Sequence, residues 1–338
     1  MTKRATMTEV ARLADVGTMT VSRVLNGSVY VSPNVASRVH AAIERLGYRP
    51  NEMARALRGA KSKSIGLIVP SLADPFFATC AHNINLIAQT QGYSMILTTS
   101  NGSISTEFSE AEWMLQKHVE GFIVCPTPSK VSKLSSPIFQ RTPIVSFDRP
   151  LQVPRVASVV VENAAGAKSG TQHLIEHGHK RIHFLGGDSQ FFTLKTRFDG
   201  YRRAMSGAGL SPQSLFDINS EEMVFEYLKK ATAGRNAPTA LFGGNNWITR
   251  YLYRAVARLG LRIPGDIAVV GFDDFDTADM LHAPLTAIRQ PVDALGKTAA
   301  EILFTRLKVD ADSWPQASSR TTLKVELILR SSCGCNPV

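Results

Sequence analysis

Residues 20–27, TVSRVLNG, decide how the first part of this chain is read. On a helix they set Val21, Val24 and Leu25 at i, i+3 and i+4 on one side, while Thr18, Met19, Ser22 and Arg23 look away. The apolar side can close a small core. The polar side carries small hydroxyls around one arginine and is free to meet something outside the molecule.

The flanking residues supply the rest of that core. Thr8 is suited to cap a helix running through Glu9, Val10, Ala11, Arg12, Leu13 and Ala14, and Asp15-Val16-Gly17 breaks it just before the TVSRVLNG helix, so the pair reads as a helix-turn-helix. A third helix has Ser32 as its cap, Pro33 at its first position, Val35, Val39, Ala42, Ile43 and Leu46 as its stripe, and Gly47 after its end. After Tyr48-Arg49-Pro50 comes NEMARALRG, in which Asn51 can cap and Gly59 can stop a helix of about two turns, too short to be stable alone. Ala54 and Leu57 share one face of it with Arg55 and Arg58 alongside, which suits an apolar wedge pressed into a groove between phosphates.

Charge singles out the same segment. The 338-residue chain has a formal charge of +10. Residues 1–63 hold 11 Lys and Arg against 4 Asp and Glu, giving +7, while the remaining 275 residues give +3. A basic end on a nearly balanced body points to a polyanion as partner of that end. The chain is also too long for one core.

The opening MTKRATMTEVARLADV has no apolar stretch after its basic residues, and no run of 18 apolar residues follows, so no membrane contact and a cytoplasmic location are expected. Four cysteines are too few and too scattered for a disulfide framework. Cys333-Gly-Cys335 has no second cysteine pair. His173 and His177 lie four apart on an expected helix, but no third ligand is evident, and His179 follows the helix stop Gly178. Neither pair by itself makes a metal site, and no metal or other cofactor is expected.

From Ile65 the texture becomes alternating strand and helix. Strands are expected over 65–69, 94–98, 121–124, 143–146, 181–185, 239–242 and 267–272, with helices over 76–91, 107–118, 164–177, 194–207 and 248–260. This is the pattern of a doubly wound, parallel α/β fold. It carries no G-x-G-x-x-G, no G-x-x-x-x-G-K-[ST], no G-x-S-x-G and no H-E-x-x-H, so the common signatures of dinucleotide, nucleotide, hydrolase and zinc-protease chemistry are missing, and an enzyme is not expected.

The segment TEVARLADVGTMTVSRVLNGSVYVSPNVASRVHAAIERLGYRPNEMARALR resembles the DNA-binding headpiece and hinge of the lactose-repressor and galactose-repressor (LacI/GalR) family of bacterial transcription regulators. VSRVLNG, VSP, LGYRPN and ARALR occur in that family's order and spacing. The likeness continues through IGLIVPSLADPFF, VEGFIV, FDRP, HGHKRI, RFDGYRRAM, RIPGDIAVVGFDD and PLTAIRQP, over residues 8 to about 331.

The resemblance implies a helix-turn-helix domain over 1–50, a hinge helix and linker over 51–63, and an effector-binding and dimerisation domain over 64–331 with a tail at 332–338. The last domain would be a periplasmic-binding-protein-like pair of lobes, one of 64–161 and 291–320, the other of 162–289. The chain would cross between them near Val161-Glu162, near Arg289-Gln290 and within 321–328.

The likeness further implies a homodimer on a palindromic operator in double-stranded DNA. Thr18, Met19 and Arg23 would read bases, Thr20 and Ser22 would contact phosphates, and Leu57 would be the intercalating wedge. Asn26, Tyr48, Asn51, Ala54 and Arg58 complete the implied DNA-facing set. An effector between the lobes would meet Phe76 and Phe77 as an aromatic wall, with Asp148, Arg197, Asn245, Asp273 and Gln290 as polar contacts. That mixture suits a carbohydrate, with a purine, a nucleoside or a protein corepressor as the alternative. A solute-binding protein of the same fold would need an export signal and no headpiece.

Three departures stand out. Gly17 replaces the family's usual serine, Asn246 and Trp247 replace a more usual aspartate and small residue, and Ile218 lies where some relatives have a stacking aromatic.

Overall fold

The computed structural model describes residues 5–25, 30–49, 61–129 and 131–335. The chain divides into two compact units, Met1–Ser62 and Lys63–Val338.

Among its described residues the first unit has three helices, α1 (Met7–Leu13), α2 (Thr18–Leu25) and α3 (Pro33–Leu46). The α1 cap is Thr6, not Thr8. The Glu9 amide donates to Thr6 Oγ1 at 3.3 Å and the Thr6 amide to Glu9 Oε2 at 2.7 Å, a reciprocal box that needs a glutamate three residues after the cap. Thr8 has Ala11 at that distance and cannot form one. Val10, Ala11, Val21, Val24, Val39, Ala42 and Tyr48 make the core, and Ile43 and Leu46 pack on its edge. Arg38 on α3 ties the turn down by donating to the Ala14 carbonyl through Nε at 3.0 Å and through a terminal nitrogen at 2.7 Å.

The second unit holds two six-stranded sheets. The first contains β1 (Ser64–Val69), β2 (Ser94–Thr99), β3 (Phe122–Val124), β4 (Ile144–Phe147), β5 (Ala157–Val161) and β11 (Ser319–Leu323) in the order β11-β5-β4-β3-β1-β2, all parallel. One face is covered by α4 (Pro75–Thr90) and α10 (Val292–Leu307), which share a core through Phe77, Cys80, Ile84, Leu295, Ala299 and Leu303. On the other face α5 (Ile104–Gln116) buries Ala111 and Met114 against Phe122.

The second sheet contains β6 (Ile182–Leu185), β7 (Gln213–Leu215), β8 (Ala240–Gly243), β9 (Ala268–Phe272), β10 (Thr286–Arg289) and β12 (Glu326–Ile328), ordered β12-β10-β9-β8-β6-β7. Its pairs are parallel except β10 with β12. Helices α6 (Asn163–Glu176) and α7 (Phe192–Gly207) lie on one face, and α8 (Glu221–Thr232) and α9 (Asn246–Arg258) on the other. Strands buried on both faces read as unbroken apolar runs such as AVVGF, the mark of a parallel sheet covered by helices.

The chain passes from the first sheet to the second between β5 and α6, returns between β10 and α10, and crosses again between β11 and β12. The first lobe therefore runs to Leu323, past the expected limit at 320. The described part of the expected tail, residues 332–335, is folded as well. Ser332 Oγ donates to the Val269 carbonyl at 2.6 Å and accepts the Thr286 amide at 2.8 Å, which binds the segment to β9 and β10. Among the described residues no helix is long and apolar enough to cross a membrane.

Candidate functional site

In the three-helix unit the structure separates the two sides of α2 as the sequence does. Val21 and Val24 are buried, whereas Thr18, Met19 and Arg23 are exposed, Met19 to 68%. Thr20 and Ser22 are half-buried. Gly17 stands at the cap position, its carbonyl accepting the Thr20 amide at 2.9 Å and the Val21 amide at 3.2 Å. Tyr48, expected to face DNA, is 9% exposed, and its ring belongs to the core. Asn26, Asn51, Ala54, Leu57 and Arg58 lie outside the described residues.

Between the lobes, two of the expected carboxylates come from strand ends. Asp148 follows β4 and Asp273 follows β9, and both have left-handed backbones, with φ of 62° and 74°. That conformation is uncommon except for glycine, asparagine and aspartate, and it turns each side chain off its sheet at the edge where such folds hold ligands.

Arg197 projects from α7 and is 3% exposed. Its Nε donates to Asn163 Oδ1 at 2.8 Å, and one terminal nitrogen donates to the Gly244 carbonyl at 2.9 Å and lies 3.5 Å from Asp273 Oδ2. The guanidinium lies 3.7 Å from the centre of the Phe272 ring. Close packing of α6 on α7 makes the first of these bonds possible. A Cβ on Gly200 would stand 2.1 Å from the Ala164 carbonyl oxygen, so only glycine lets Asn163 come within reach of Arg197.

Asp273 also accepts Gln290 Nε2 at 2.6 Å and the Asn246 amide at 3.3 Å. Gln290 is 5% exposed, and its Oε1 is buried without a hydrogen-bond partner among the described residues, an acceptor available to a donor from outside the protein. In the first lobe Arg149 Nε lies 3.3 Å from Asp148 Oδ2. Burial raises the Asp148 carboxyl above the usual range, Arg149 and Arg197 oppose that shift, and Asp273 adds to it. The two carboxylates thus share one field across the cleft.

The other expected residues divide. Phe76 borders a cavity of about 540 Å³ with Asn246, Asp273, Gln290 and Arg330, but Phe77 is buried in the first lobe's core. Arg197, Asp148 and Asn245 do not line that cavity. Asn245 caps α9, its Oδ1 accepting the Ile248 amide at 2.9 Å, so its acceptor is already engaged. Ile218 is 5% exposed within the second lobe's core and offers no ring face to a ligand.

Several residues that sequence reasoning passed over join this region. Asp74, the α4 cap, accepts Asn246 Nδ2 at 3.0 Å and Trp247 Nε1 at 3.3 Å, a latch between the lobes. Burial raises its carboxyl as well, and Asp273 adds to the shift. Arg149 lies 4.2 Å from the centre of the Phe191 ring on the opposite lobe. Asn163 opens α6 and holds Arg197. The signal for Asp74 was present in DPFF, immediately before the two phenylalanines. Asn163 and Phe191 had none, because their positions depend on helix packing.

A family model described as "Bacterial regulatory proteins, lacI family" matches residues 6–51, and one described as "Periplasmic binding protein-like domain" matches residues 171–333. The ribose operon repressor of Escherichia coli (strain K12) is 32% identical over 309 residues, covering 90% of this chain and 93% of that protein. The HTH-type transcriptional repressor PurR of Haemophilus influenzae (strain PittEE) is 33% identical over 336 residues, covering 97% and 98%. The crystal structure of the lac repressor dimer bound to operator and the anti-inducer ONPF aligns with a TM-score of 0.86 at 26% identity, covering 98% of this chain and 99% of that one.

Proposed function

Because the chain belongs to the lacI family of bacterial regulatory proteins, we propose that it is a cytoplasmic repressor that binds a palindromic operator as a homodimer and answers to a sugar or sugar derivative held between its lobes. The operator is read by the outward side of α2, with Thr18, Met19 and Arg23 against base edges and Thr20 and Ser22 against phosphates. The hinge residues Asn51, Ala54, Leu57 and Arg58 act in the minor groove, with Asn26 supporting the contact from the headpiece.

The observation that carries the effector reading is the pair of left-handed aspartates, Asp148 and Asp273, at the ends of β4 and β9, with the Arg197 guanidinium held 3.5 Å from Asp273. Carboxylate and guanidinium oxygens and nitrogens at set positions hold adjacent hydroxyls with directional bonds, and the Phe76 ring supplies a surface for C–H groups. Closing on such a ligand replaces the Asp74 latch with contacts through the ligand. The effector shifts operator affinity only by the difference in its affinity for the two lobe arrangements.

A purine or nucleoside is the second reading, favoured by the flat rings of Phe191 and of Trp247, which is 38% exposed beside Asp74. One experiment separates them: a gel-shift titration on a palindromic operator with panels of sugars, sugar phosphates, purines and nucleosides. A response confined to one or a few carbohydrates is the expected result. A response to purines or nucleosides alone overturns the sugar assignment and leaves the DNA-binding assignment standing.

A further inference from the structure

His173 and His177 stand one turn apart on α6 and its C-terminal cap, and Cys333 and Cys335 come from the segment that follows β12. In sequence each pair is half a metal site. The fold closes the two halves on each other. Cys335 Sγ lies 3.0 Å from Cys333 Sγ, 3.1 Å from His173 Nε2 and 3.1 Å from His177 Nε2. The ligand atoms of His173, Cys333 and Cys335 all lie within 4.8 Å of one another.

We propose that these four side chains form a zinc site that clasps the C-terminal segment to α6.

Three features favour a cation over a set of ordinary hydrogen bonds. A thiol has one proton, yet Cys335 Sγ is approached by two imidazole nitrogens and a second sulfur. The His177 tautomer is fixed, since Nδ1 lies 2.8 Å from the His173 carbonyl oxygen and must donate to it, which leaves Nε2 as a bare lone pair aimed at the cluster. A backbone carbonyl on the second ring nitrogen is the usual support of a metal-binding histidine. Gly334, with φ of 88°, turns the chain between the cysteines so that both sulfurs face one point. Cys333 is fully buried, with Thr286 Oγ1 3.1 Å from its sulfur, while Cys335 is half-buried and His177 exposed, so a metal ion has a route in from solvent.

Two sulfurs and two imidazoles suit tetrahedral Zn²⁺. Arms of about 2.0 Å to nitrogen and 2.3 Å to sulfur give tetrahedral edges of about 3.3–3.8 Å. The three contacts of Cys335 need to lengthen by only about 0.4–0.8 Å, while the exposed His177, which lies outside the 4.8 Å group, swings toward Cys333 to complete the tetrahedron. On binding, each thiol releases its proton to solvent and both imidazoles stay neutral. The ion and two thiolates then sum to zero charge, and no electron is transferred.

The test uses the full-length protein, stripped of metal under reducing conditions and titrated with ZnCl₂ or CoCl₂ alone. One zinc per chain and the absorption of a tetrahedral cobalt–thiolate centre are expected, with a higher Tm on zinc addition. Cys335→Ser and His177→Ala should each weaken zinc binding at least ~100-fold, while Cys80→Ser leaves it unchanged. Operator binding retained by Cys335→Ser shows that the variant is folded. Absence of the cobalt–thiolate spectrum, or zinc uptake by Cys335→Ser equal to that of the parent, overturns the site. A Cys333–Cys335 disulfide accompanied by no zinc uptake after reduction overturns it too.

Discussion

The two recognition surfaces treat their polar groups in opposite ways. On α2, Met19 and Arg23 project into solvent from a core no larger than three short helices can make. Between the lobes, Arg197 and Asp273 are engaged with protein partners on several sides. A duplex brings its own charge and its own acceptors, so a surface that reads it can stay hydrated until contact. A small ligand has few groups, and an unpaired buried guanidinium would cost more than such a ligand could return. The cleft therefore keeps its charges paired and yields a partner only to a ligand that replaces it.

If that difference is real, the largest effect of a single substitution falls in the cleft. Arg197→Ala takes one partner from Asp273, which keeps Gln290 and the Asn246 amide, and removes the donor that holds Asn163; breaking a buried pair of this kind costs up to about 3–5 kcal/mol. Urea denaturation of the full chain should show a loss of that size. Asp273→Asn keeps the shape and one acceptor, so it should fold and bind operator yet lose the effector response by at least ~10-fold in a gel-shift titration. Arg197→Ala with parental stability would place the guanidinium among solvated groups and erase the contrast with α2.

The exposed side is broken differently. Arg23→Ala should leave stability within about 0.5 kcal/mol of the parent, as surface changes do. It should reduce the preference for operator over non-specific DNA by about 1–3 kcal/mol. Competition gel shifts measure the preference, and an unchanged ratio removes Arg23 from the readers.

Legibility in the sequence follows the same division. The α2 helix could be read because three apolar residues at helical spacing and an outward polar set belong to one local segment. The covered strands could be read because burial on both faces forces unbroken apolar runs. Several of the missed elements lack such local marks. β11, SRTTL, is an exposed polar edge strand, β12 is three residues long, and β5, ASVVV, is a short apolar run that periodicity alone cannot tell from helix. Arg197 and Asp273 could be singled out by their motifs, but the partner that fixes Arg197 depends on a helix crossing at Gly200, and the latch depends on two lobes meeting. The histidine and cysteine pairs are the extreme case, about 160 residues apart and joined only when the chain after β12 returns to α6.

A third effect should be smaller and depend on pH. The Asp74 carboxyl is raised from its usual 3.8, chiefly by burial, with Asp273 adding to the shift. A carboxyl raised on folding contributes stability that is fully present below the unfolded value and is lost as pH rises through the folded one. Asp74→Asn has no such titration. The stability of Asp74→Asn relative to the parent should therefore improve as pH rises from below 3.8 toward neutrality, whatever the offset from the altered latch. Urea midpoints for both proteins across that range measure the slope. A flat difference would mean that Asp74 is solvated and that the latch is open in solution.

The smallest expected effect tests the headpiece where it departs from its family. Gly17 caps α2 through its carbonyl alone, and a Cβ placed there meets nothing within 4 Å, so a side chain can be added without displacing a neighbour. Gly17→Ser adds an oxygen that can accept the Met19 or Thr20 amide, and a serine cap is better than glycine by a few tenths of a kcal/mol, roughly a twofold change in a local opening equilibrium. Amide exchange in the full chain should slow about twofold in the first turn of α2 and hardly at all in α3. The same oxygen competes with a phosphate for those amides, so operator affinity should rise less than helix protection does. If protection in α2 does not change, the open end of this helix is already satisfied by solvent, and the absence of the serine has no energetic consequence in the free protein.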